Sequence, residues 1–245
     1  MRIDLPLVLA LAAKANSFFR GASGRMEVLA GHPAFARFHD IAFVRQTGLG
    51  GDLIADASVP WYRRLKNEGV SKVRPFLGGM KLDRSADSPW GILAEGDKGL
   101  ELWAPSIGRR FQGHDDPMPF RLTMTSGRFD RWSLKDALPV EEAATNLASA
   151  LGDARTYLED AGQSTAAAVV GKFILLHEAS SPETPGELAS ITPDLAPCAL
   201  PLFASSARVL NLLETTGWLT ANDDAARRLA APLWEATRIG LETAI

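Results

Sequence analysis

The apolar positions of this chain change period once, just after Trp132. Before that point they fall in short runs punctuated by glycine; after it they recur every three or four residues. Residues 73–77, 90–94, 100–103 and 120–125 have the length and composition of strands. In the last run Phe120, Leu122 and Met124 alternate with Arg121, Thr123 and Thr125, which predicts a sheet with one buried and one wet face. Residues 95–99 form a hairpin loop between two of these runs, and Ser126-Gly127 predicts a second turn leading into residues 128–132. Earlier, residues 41–45 read as a strand, residues 47–52 as a glycine-rich turn, and residues 26–29 as a short strand. Pro60 and Gly69 bracket a helical turn or two at residues 61–67.

In the second half, Pro139 opens a helix with Val140, Ala144, Leu147, Leu151, Ala154 and Leu158 on one face, and Gly162 ends it. The helix expected over residues 164–178 is apolar nearly all round, with Lys172 its only charge before His177, a pattern normal for a central helix. Five prolines between residues 180 and 201 require an irregular connection. Two helices close the chain. The last carries Ala226, Leu229, Leu233, Thr237 and Leu241 on one face and is expected to kink at Pro232. Strands first and helices later predict the α+β class: a mixed or antiparallel sheet with hairpins, and a helical second half packing on it. One domain spanning 1–245 is expected, with a possible division into β-rich 1–134 and helical 135–245.

A length of 245 residues with 46% hydrophobic content is enough for a sizeable core. The net charge of -3 argues against general nucleic-acid binding. Cys198 is the only cysteine, which excludes an intrachain disulfide and a cysteine-based zinc site and fits a cytoplasmic location. The N-terminus predicts a helix with Leu5, Val8, Leu9, Ala12 and Phe19 on one side. Ala13-Lys14-Ala15 loosely imitates a cleavage site, so the alternative is a secreted or periplasmic protein cut near Ala15. Asp4 offsets Arg2 where a leader needs positive charge, which favours the helix. The run is too short for a membrane span, which needs about 20 apolar residues.

Candidate chemistry concentrates in residues 108–132, with His114, Asp115 and Asp116 followed by Arg121 and Arg128. His114 can act as an acid or base oriented by Asp115 or Asp116, while Arg121 and Arg128 anchor an anionic substrate. The bland reading is a solvated loop with surface arginines. Gly50 and Gly51 can contribute to an anion nest, although a tight turn is glycine's commoner use. His32, His39 and His177 lack ligand spacing, so no metal is expected, and no cofactor is implied. Cys198, in an apolar context, reads as a small hydrophobe. Two functional readings follow. The preferred one is association, as an assembly subunit or homo-oligomer, through residues 5–19 or the C-terminal helix. The alternative is a small-molecule enzyme acting on an anionic substrate, with His114 as acid or base.

Overall fold

The computed structural model describes residues 4–22, 26–29, 31–47, 50–77, 90–97, 99–109, 120–128, 138–181, 183–216 and 224–245. The first half contributes one mixed six-stranded sheet: β1 (Phe38–Thr47), β2 (Gly50–Ala55), β3 (Val73–Phe76), β4 (Gly91–Gly96), β5 (Gly99–Arg109) and β6 (Phe120–Arg128). Spatial order is β2-β1-β6-β5-β4-β3. Every neighbouring pair is antiparallel except β1 and β6, which run parallel. The alternation read in residues 120–125 is present: Leu122 and Met124 are fully buried while Arg121 is exposed.

The expected turn at Ser126-Gly127 is absent, and β6 runs straight through it to Arg128. Ser126 pairs with Trp103 of β5 on one side and Arg45 of β1 on the other. Hydrogen-bond ladders on both edges hold this segment extended, and Ser-Gly makes a turn only where the chain is free to leave the sheet. Likewise, residues 26–29 form no strand. Instead Glu27 caps a helix from outside it: its Oε1 accepts from the Ser58 N–H and hydroxyl, and its Oε2 accepts from the Val59 N–H.

That helix is α2 (Ser58–Asn67), between β2 and β3, the two edges of the sheet. It brings Trp61 onto Phe43 of β1 at 4.3 Å between nearly parallel rings, and onto Trp103 edge-on at 5.4 Å. All three are fully buried and form the centre of this unit's core. Such aromatic pairs contribute about 0.5–1.5 kcal/mol each beyond their buried area. Gly69 ends α2 with φ +82°, where a side chain would also run into the Asp97 carboxylate. The N-terminal helix α1 (Asp4–Phe19) packs on β3, β4 and α2, with residues 5–13 buried. Among the described residues no helix is long and apolar enough to cross a membrane.

Residues 136–245 form a separate compact unit of four helices: α3 (Val140–Asp160), α4 (Ser164–Glu178), α5 (Leu200–Thr215) and α6 (Asp224–Ala244). Helix α5 takes the centre, packing on α6, α4 and α3, and residues 202–210 are all buried. Its run of small residues, Ala204 to Ala207, lets α6 approach closely, so that Gly240 sits directly against Ser206. Helix α6 is unbroken across Pro232, which lies on its exposed side where water can satisfy the freed carbonyl. The expectation that residues 164–178 are central does not hold. Only Ala167 and Val170 of α4 are buried, because α5 occupies the position a fully apolar helix would take. Two 3-10 helices, Gly186–Asp194 and Pro197–Ala199, break up the proline-rich connection. Arg208 of α5 fastens that connection by donating from Nη2 to both the carbonyl and the hydroxyl of Ser181.

Candidate functional site

Three adjacent strand ends converge at one end of the sheet. His39 and Asp40 lie at the start of β1, Arg121 at the start of β6, and Gly108 and Arg109 at the end of β5. The pairing explains their meeting: Asp40 is opposite Arg121 in the parallel ladder, and Arg121 is opposite Gly108 in the antiparallel one. Together these five residues line an open cavity of about 590 Å³. Asp40 approaches Arg121 at 3.0 Å through the guanidinium Nε, both side chains remaining solvent-accessible. At such exposure the pair adds little stability, roughly 0–1 kcal/mol, but it fixes the orientation of the guanidinium plane. Just beside it, the Arg37 guanidinium lies 4.8 Å above the Phe120 ring, and the Phe120 N–H donates to the Arg37 carbonyl.

Of the residues expected to carry the chemistry, Arg121 alone is placed in this cavity; His39, weighed as a metal ligand, lines it too. His114, Asp115 and Asp116 lie outside the described residues. Arg128 is the last residue of β6, its backbone opposite Glu101, and its side chain also lies outside them. Gly50 and Gly51 open β2, with Gly51 opposite Gln46. They flank the hairpin at the far end of β1, six residues from Asp40 or about 20 Å, and take no part in the site. Among the described residues no group of three His, Cys, Asp or Glu side chains is placed to hold a metal ion. His32 is buried and caps a 3-10 turn, its Nδ1 accepting from the Ala34 N–H. Cys198, expected as a small hydrophobe, is exposed.

Sequence reasoning missed His39, Asp40 and Arg109 as members of one site. The available signal was a His-Asp pair entering a strand and an arginine leaving another; the missing step was the parallel β1–β6 pairing that makes them neighbours.

A second surface stands out on α4. Leu175 is 66% exposed and Val169 41%, with Phe173, Ile174 and Leu176 half-buried beside them. Of the charged residues in this helix, neither Lys172 nor Glu178 makes an ion pair with a described residue. Comparison of the chain with protein-family models, with curated proteins and with solved structures finds no match.

Proposed function

We propose that the chain works by association, as a homo-oligomer or as a subunit of an assembly, with α4 as the contact helix. The observation that supports the reading is the apolar face of α4 left in water, centred on Leu175 and Val169. A single exposed leucine is ordinary, but a helix that is apolar nearly all round and only two residues buried is not. Fully covering a leucine or valine is worth about 1.5–3 kcal/mol, so two such side chains can supply the centre of a contact. The chain ends offer less. Residues 5–13 of α1 are buried, and α6 buries Leu229, Leu233, Trp234 and Leu241.

A second copy of the chain is the first occupant to test. Light scattering across a range of protein concentrations is expected to give a mass above that of one chain. Leu175→Glu combined with Val169→Glu is expected to return it to one chain with an unchanged circular dichroism spectrum. A wild-type protein that stays at one chain throughout would sink the homo-oligomer reading.

A further inference from the structure

We propose that the cavity at the ends of β1, β6 and β5 binds the phosphate group of a small phosphorylated molecule. Within the described residues, two guanidiniums (Arg109 and Arg121) line it against one carboxylate, Asp40, an excess of one positive charge. A phosphoryl group presents three acceptor oxygens to two guanidiniums, whereas a carboxylate presents two. The Arg109 side chain has no hydrogen bond or ion pair with any described residue, and Arg121 has only Asp40. Both therefore keep donors for an oxyanion, and guanidinium forks suit phosphate geometry. Asp40 acts as a positioning residue, holding the Arg121 plane by its Nε.

Gly108 completes the site. It precedes Arg109 in β5 and lies opposite Arg121 of β6, and a Cβ built there would meet nothing within 4 Å. The absent side chain leaves the floor of the cavity open to a ligand. A volume of about 590 Å³ is also more than a phosphate group fills, leaving room for an organic body of small-metabolite size.

The test is isothermal titration of the intact chain with inorganic phosphate and with glycerol 3-phosphate, using chloride at matched ionic strength as the screening control. Saturable one-to-one binding is expected, tighter for the ester. Arg109→Ala and Arg121→Ala are each expected to weaken it about tenfold or more, the loss of a charge-assisted hydrogen bond. Gly108→Leu, which removes no charge, is expected to weaken binding by crowding the space beside Arg109 and Arg121, and keeps the test valid if Arg121→Ala fails to fold. Lys172→Ala, in the helical unit, is expected to bind as the wild type does. The proposal is overturned by absence of saturable binding, by binding that survives both Gly108→Leu and Arg109→Ala, or by tighter binding of malonate than of glycerol 3-phosphate.

Discussion

The carboxamide of Asn16 closes the outer edge of β3 as a neighbouring strand would. Its nitrogen donates to the Val73 carbonyl at 2.9 Å, and its oxygen accepts the Val73 N–H at 2.8 Å. Strand β3 ends the sheet on that side, so its outward backbone groups have no ladder partner. Asn16 is 3% exposed, which rules out bulk water as a substitute. Asn16→Leu is expected to cost about 2–4 kcal/mol, because it strands a buried donor and a buried acceptor together. Asn16→Asp keeps only the acceptor and buries a charge, so it should be no milder. Urea denaturation of the three proteins measures both; a loss below about 0.5 kcal/mol for Asn16→Leu would remove this role.

Arg45 ties three elements together. It reaches both carboxylate oxygens of Glu68 at the end of α2, at 3.0 and 2.6 Å, and Glu101 of β5 at 2.9 Å. The hydrogen bond to Glu68 raises the guanidinium's proton affinity more than burial lowers it, so the side chain stays charged at any working pH. A lysine has a single ammonium and cannot span two carboxylates in a plane. Arg45→Lys is therefore expected to destabilise by about 1–3 kcal/mol in thermal or chemical melts, despite keeping the charge.

The contact of Gly240 with Ser206 leaves no space for a methyl group. Gly240→Ala is expected to cost about 1–3 kcal/mol through overpacking between α5 and α6, although alanine is the better helix former. Ser206→Gly in the same chain should recover part of that loss, since the clash is with the serine side chain. Additive losses in the double variant would place the strain elsewhere.

Burial of Glu214 in the last turn of α5 holds its carboxyl above the ordinary value of 4.5. The folded state thus binds this proton more tightly than the unfolded chain does. The stability from that proton is complete below the ordinary value and is lost as pH rises through the folded one. A carboxylate at a helix C-terminus also opposes the helix dipole. Glu214→Gln is expected to melt higher than the wild type at pH 7, by no more than about 1 kcal/mol since the residue is half exposed, and to match it near pH 4. A gain that persists at low pH would assign the effect to something other than charge.

What could be read in the sequence was set by how far apart the interacting residues are. The β4–β5 hairpin, the buried Leu122 and Met124, and the buried stripe Leu147, Leu151, Ala154 and Leu158 of α3 depend on near neighbours, and all are present. Burial of α4 was misjudged because its apolar surface says only that it seeks cover, not that α5 has already filled the centre. The Ser126-Gly127 turn failed for a related reason: two neighbouring strands override a local preference. The cavity was half legible. Arg121 announced itself by alternation, but Asp40 joins it only through a parallel pairing between distant segments.

That pairing also means that the sheet cannot be completed before β6 has been made. β6 is the last of the described strands to leave the ribosome, yet it lies between β1 and β5. Until it arrives, β2-β1 and β5-β4-β3 are separate ribbons with bare edges, the kind of surface on which unfinished chains pair with one another. Strand β6 is the keystone: in place, it joins the two ribbons and covers the inner edges of β1 and β5.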